Sequence, residues 1–417
     1  MSSNSRRRFI QGLGLSAIAA GSIYSCRRGI RYPTLGLEPN ALASTFVNRG
    51  GSIEVDSADV IETTQTNNDR LTFRAFSAEP RLKVTAKEDG QAFIELGNVA
   101  TDASLSWDGS QNDIEERVSG IRRSLTISMK KGDVQQLSWK LPYESDFTFA
   151  SIGDSGGDKE LAWCIQRAHE LGAKFLLHLG DFNYQPGDYQ RSIDLFNNSP
   201  IPCYVSIGNH DFHENGAIYQ QFLEQIGPLN HSFTIGKTRF LNLDTAANTL
   251  PYSSGLRGKL VKEIQAQNSL VTDTVSFTHR PLHDPLHNST HDIGSEGERD
   301  WLISALKMTG SSTLLSGHIH IYDRTEFHGI DNIIAGQGLG HQDLITRSDY
   351  SKIVIGRVSN DGSVNYTAEP LSMPMELHCH PRSQPVIDSL RQSNSADEYE
   401  ELLNMIETSC ASTQTTS

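Results

Sequence analysis

The chain has 417 residues, a formal charge of -14 and 37% hydrophobic residues, with 16 Phe, 12 Tyr and 4 Trp. That length suits two domains plus tails, and the aromatic content can fill a sizeable core. The acidic balance excludes nucleic acid and an anionic membrane surface as partners, since both need basic patches. It leaves room for a small anionic substrate where bound cations dominate the local field.

Ser5-Arg6-Arg7-Arg8-Phe9-Ile10 precedes an apolar run from Leu13 to Ala20 that is too short to span a bilayer. A basic stretch, a brief apolar stretch and small residues form the signal-peptide pattern. Residues 1–26 therefore read as an export signal, with the periplasm or cell surface as destination. The paired arginines with Phe9-Ile10 resemble a twin-arginine signal. Ile23-Tyr24-Ser25-Cys26 resembles a lipoprotein cleavage box, which would make a lipid on Cys26 the chain's membrane contact; ordinary cleavage near Ala19 is the alternative. Cys164, Cys203, Cys379 and Cys410 form no CxxC pair, so a thiolate zinc site is not indicated. Cys164 and Cys203 read as buried free thiols.

Residues 27–44 read as a linker. From 45 to 145, SIEV, RLTFRAF, RLKVTA, QAFIEL, ASLSW, RSLTISM and QLSWKL are short, often alternating runs divided by Gly, Asp and Asn. Seven such runs at roughly ten-residue spacing predict an all-β sandwich of immunoglobulin-like type. No residue cluster there carries obvious chemistry.

The pattern changes at 146, where a second domain is predicted to run to 370. The strand FTFASIGD leads to a helix over 158–172, and the strand AKFLLHLGD leads to a helix near 187–197. The strand PCYVSIGNHD is followed by a helix near 216–226. Strand-helix alternation of this kind predicts an α/β domain with right-handed crossovers. Two strands in HSFTIGKTRFLNLDT, helices near 254–268 and 296–308, the strands VSFTHRP and TLLSGHIHIY, EFHGIDNIIAG, and a hairpin turning at Asn360-Asp361-Gly362 complete it. Residues 371–417 read as a partly disordered extension with one amphipathic helix around 397–408.

Each of five strands in this domain delivers polar residues at its C-terminal end, where sites of open α/β sheets gather. They are Asp154, Asp181, Asn209 with His210, His279, and His318 with His320. Carboxylate, amide oxygen and neutral imidazole are ligands that first-row cations accept. Asp154-Ser155-Gly156, Gly180-Asp181-Phe182-Asn183-Tyr184, Gly208-Asn209-His210-Asp211, Thr278-His279 and Gly317-His318-Ile319-His320 together resemble the five ordered blocks of the calcineurin-like metallophosphoesterases. The resemblance implies a four-layer α-β-β-α sandwich with two metal ions at the strand ends. It further implies hydrolysis of a small phosphoester by a water or hydroxide bridging those ions. By resemblance Asp181 bridges; one ion takes Asp154, Asp181 and His320, and the other takes Asp181, Asn209, His279 and His318. The block at 317–320 is expected to leave strand geometry in a loop or bend. His210 is assigned to the phosphoryl group as a stabiliser of transition-state charge. The segment 280–294 offers His283, His287 and His291 as leaving-group acid or phosphate contact, and the family's spacing favours His287 or His291. His378 and His380 belong to no block and are assigned no role.

Most of the family carries a histidine two residues after the first aspartate, where this chain has Gly156. The purple acid phosphatase branch lacks that histidine and supplies a tyrosinate three residues after the bridging aspartate, the place of Tyr184. A phenolate is a hard anionic donor suited to ferric iron. The resemblance thus implies Fe(3+) plus a divalent ion, Fe, Zn or Mn, and a phosphomonoesterase. The alternatives are a phosphodiesterase or nucleotide hydrolase using other metals, and a non-catalytic surface binding protein on the same scaffold.

Overall fold

The computed structural model describes residues 45–47, 53–67, 70–110, 113–211, 219–247, 252–267, 270–286, 291–338 and 351–371, with isolated positions beyond. The export segment with Cys26, the linker 27–44, His287, His378, His380, Cys379 and Cys410 lie outside the described residues. So does most of the expected terminal helix. Among the described residues no helix is long and apolar enough to cross a membrane.

The N-terminal region is all β. Its strands are β1 (Thr45–Val47), β2 (Ile53–Asp56), β3 (Val60–Asn67), β4 (Arg70–Ala75), β5 (Arg81–Ala86), β6 (Gly90–Gly97), β7 (Ser104–Gly109), β8 (Ile114–Ser119), β9 (Arg122–Met129) and β10 (Val134–Lys140). They form two five-stranded sheets, β1-β2-β5-β10-β7 and β3-β4-β6-β9-β8. Alternation sends Leu82, Val84 and Ala86 of β5 inward to meet Leu125, Ile127 and Met129 of β9 in one core. Among the described residues the sandwich has ten strands where seven runs were read. Strand β8 shows no apolar alternation because it is largely exposed. Strands β4 and β6 pair in parallel, with β5 crossing to the opposite sheet between them.

The second region begins with β11 (Phe147–Ile152), α1 (Lys159–Glu170), β12 (Leu176–His178), α2 (Asp188–Asn197), β13 (Cys203–Val205) and α3 (Tyr219–Gln225). It continues through β14 (His231–Ile235), β15 (Thr238–Asn242), α4 (Leu256–Ala266), β16 (Asp273–Phe277), α5 (Glu296–Met308) and β17 (Ser311–Ser316). Strands β18 (Tyr322–Phe327), β19 (Ile330–Ala335), β20 (Lys352–Val358) and β21 (Val364–Pro370) close it. The sheets are β13-β12-β11-β20-β21 and β14-β15-β16-β17-β19-β18. Helices α1 to α3 share a core with the first sheet, α4 and α5 share one with the second, and a third core joins the sheets. Four layers, α-β-β-α, follow from that sharing.

Between the sheets the aromatic rings interlock: Phe149 stacks on Phe175 at 5.5 Å, and Phe240 meets each edge-on at 5.1 Å. Such pairs add roughly 0.5–1.5 kcal/mol each beyond area burial, and they give the strand ends a stiff base. Cys164 and Cys203 are buried and unpaired with each other.

The sandwich is tied to the first sheet at its edge strand. Asn98 accepts from the Cys203 amide at 2.8 Å, and Arg74 donates to the Cys203 carbonyl at 2.8 Å and to the Ile226 carbonyl at 3.0 Å. These side chains cover backbone groups that an edge strand would otherwise leave open.

Candidate metal centre

Strands β11, β12 and β13 run parallel in one sheet, and β15, β16 and β17 run parallel in the other. Their C-terminal ends deliver Asp154, Asp181, Asn209 with His210, His279, and His318 with His320 to one place. The turns are sharp: Asp154, Asp181 and His318 have φ of 61°, 59° and 68°. Non-glycine residues held there cost on the order of 1–3 kcal/mol each, a strain that collects at functional sites. Gly208 makes the approach possible, because a Cβ there would lie 2.1 Å from Asp181 Oδ1.

The contacts divide the candidate ligands into two groups. In one, His320 Nε2 lies 3.6 Å from Asp154 Oδ1 and 3.1 Å from the Tyr184 hydroxyl. In the other, His279 Nε2 lies 2.9 Å from Asn209 Oδ1 and 3.4 Å from Asp181 Oδ2, and the His279 and His318 rings are 4.9 Å apart. Asp181, His279 and His318 each offer a ligand atom within 4.8 Å of the others. The His318 amide donates to Asp154 at 2.8 Å, which joins the groups through the backbone. Block 317–320 is bent, as expected. Residues two apart share one side of a regular strand, so the bend is not needed to turn two histidines the same way. It lets His318 face His279 while His320 faces Tyr184.

The electrostatics are those of a crowded buried site. Burial pushes the Asp154 carboxyl up to about 7, with nearby His320 opposing the shift. Burial raises Asp181 as well, but the charge of His279 and its hydrogen bond outweigh that and hold Asp181 well below the usual carboxylate range. His279 is raised, the Asp181 charge overcoming burial; its Nδ1 stands 2.8 Å from the Leu179 carbonyl, leaving Nε2 toward the site. Burial, with His279 and Arg280 adding to it, drives His318 far down. Two carboxylates, an amide oxygen and three imidazoles, with a phenol beside them, form a donor set that fits two first-row cations.

Tyr184 and Gly156 are coupled in space. A Cβ on Gly156 would stand 3.2 Å from Tyr184 Cδ2, and Gly156 has φ 65°. Any side chain at 156 would crowd the Tyr184 ring from its Cβ onward. The Tyr184 turn is held by the buried Asp188, which accepts from the amides of Tyr184 and Gln185 at 3.1 and 2.8 Å.

His210 sits at the rim. Its amide donates to Asp181 Oδ1 at 2.9 Å, its Nε2 is 4.0 Å from Asp181 Oδ2, and its ring meets Tyr184 edge-on at 4.7 Å. His291 comes within 5.4 Å of the His318 ring, whereas His283 stacks on Phe327 at 5.0 Å.

Three residues of the site carried no assigned role in the sequence. Asp211 accepts from the amides of Gly208, Asp181 and Phe182 at 2.7, 3.0 and 3.0 Å, locking two ligand loops together. His178, pushed down to about 3 by burial, bonds Ser155 at 2.8 Å behind the site. Arg280, 8% exposed, donates to His318 Nε2 at 2.7 Å. Asp211 belongs to the GNHD block, which was its signal; no periodicity or spacing marks Arg280 or His178.

Solved structures similar to the chain include the purple acid phosphatase PPD1 from yellow lupin (Lupinus luteus) seeds. It is 12% identical over 77% of this chain and 79% of that one, with TM-score 0.38. A dimetal phosphatase from Danio rerio is 12% identical over 54% and 97%, at 0.40, and PhoD is 11% identical over 78% and 90%, at 0.41. No curated protein matches the chain. The family described as calcineurin-like phosphoesterase matches residues 132–322. That stretch holds the gathered strand ends up to His320, and over it the chain is similar to the calcineurin-like phosphoesterases.

Proposed function

We propose that this chain is an exported phosphomonoesterase of the purple acid phosphatase type, working with ferric iron and a divalent ion. The observation that carries the reading is the Tyr184 hydroxyl 3.1 Å from His320 Nε2, with the ring packed against Gly156, where a Cβ would stand 3.2 Å from Tyr184 Cδ2. Asp154, Tyr184, His320 and Asp181 would hold the ferric ion, and Asp181, Asn209, His279 and His318 the divalent one. The chemistry supplied by two bound ions is polarisation of the phosphoryl group and acidification of the attacking water. His210, on the rim between Tyr184 and Asp181, donates to a phosphoryl oxygen as negative charge builds there. His291 gives a proton to the departing alkoxide, which leaves as the alcohol. Export rests on the N-terminal sequence alone.

The test is spectroscopic. Protein loaded with iron is expected to show a visible tyrosinate-to-iron band that Tyr184→Phe abolishes, and to hydrolyse a phosphomonoester faster than a diester. A colourless, iron-containing, active enzyme rejects the Tyr184 assignment, and a diester preference rejects the monoesterase reading.

A further inference from the structure

Arg280 is buried beside the centre without an ion-pair partner among the described residues. Its amide donates to Thr245 Oγ1 at 2.7 Å, its Nε to the Ala246 carbonyl at 3.2 Å, and its Nη1 to His318 Nε2 at 2.7 Å. Thr245 is itself fixed against Thr278 at 2.6 Å, so the guanidinium is anchored at its base and aimed at the ring. A guanidinium in a protein has donors only, so Nε2 of His318 must be the acceptor. This reverses the usual arrangement. A metal-ligating histidine normally donates its outer N–H to a carbonyl or carboxylate, which strengthens it as a ligand. His279, whose Nδ1 faces the Leu179 carbonyl, follows that rule.

We propose that Arg280 and the second metal ion compete for His318, so that Arg280 lowers the affinity of the site formed by Asn209, His279 and His318 for its ion. An ion taking Nε2 needs the lone pair that Arg280 occupies. An ion taking Nδ1 needs the ring proton moved to Nε2, where it would face the guanidinium N–H. Either way the Arg280 bond is given up, and a positive charge stays close to the incoming cation. The inference rests on the two-metal reading above.

The experiment titrates Zn2+ into iron-loaded full-length protein, measuring bound Zn2+ by equilibrium dialysis and the His318 tautomer by 15N NMR. Arg280→Met is expected to bind Zn2+ about tenfold tighter than wild type, the equivalent of one charge-assisted hydrogen bond, with iron retention unchanged. Arg280→Gln, an uncharged and weaker donor, is expected to give a smaller gain and carries the same test where Arg280→Met does not fold. Equal or weaker Zn2+ binding in the folded variants, or a wild-type His318 protonated at Nε2, overturns the proposal while leaving the two-metal reading intact. A wild-type protein that takes up no second ion overturns both.

Discussion

Two buried arginines show how differently the halves of this molecule use polar groups. Arg74 of the sandwich is 3% exposed and Arg280 of the α/β region is 8% exposed. Arg74 gives its two terminal nitrogens to the carbonyls of Cys203 and Ile226, groups that belong to fixed backbone, and its Nε to the Asn197 side chain. Burial lowers its guanidinium to about 10, yet fixed acceptors satisfy it. Arg280 instead points at an imidazole within a crowd of carboxylates and rings. Polar groups met by backbone hold a structure together; polar groups that meet one another at strained strand ends form a site that can hold a ligand.

Substitutions in the two regions should therefore fail in different ways. The largest effect is expected from Asp181→Asn, because Asp181 touches His279 and His210 and is assigned to both ions. Phosphoester hydrolysis should fall roughly a thousandfold and metal content below two ions per chain. Wild-type rates across a panel of phosphoesters would sink the assignment. Arg74→Met should do the opposite. Taking the Arg74 donors from the Ile226 carbonyl and from the Cys203 carbonyl, which keeps Asn98 Nδ2 at 3.1 Å, should lower stability by roughly 2 kcal/mol in urea unfolding, with metal content per folded chain unchanged. Metal loss in this variant would break the distinction between the regions. The smallest effect is expected from Gly156→Ala. The added Cβ, 3.2 Å from the Tyr184 ring at a φ of 65°, should cost about 1 kcal/mol and shift the visible band of the iron-loaded protein. An unmoved band would show that Gly156 does not govern the ring.

The candidate ligands were legible because each follows an apolar strand, and a glycine marks every block but that of His279, so local pattern sufficed for most of them. The α/β helices were legible for the same reason: the helix expected over 296–308 is α5. In the sandwich, β3 and β8 escaped because Thr-rich VIETTQTN and largely exposed IEERVS carry little apolar alternation. The parallel pairing of β4 and β6 is a long-range choice that no local run encodes.

By itself the sequence determined which side chains stand at the ends of strands, since periodicity and punctuation act over a few residues. It also marked the joint absence of a histidine at 156 and presence of Tyr184. Only the tertiary structure decided that Gly156 and the Tyr184 ring lie against each other, that His291 rather than His283 turns to His318, and that Arg280 reaches that ring across 38 residues of chain. Those outcomes depend on how two sheets pack face to face, and the aromatic core that sets their packing is drawn from strands distant in sequence.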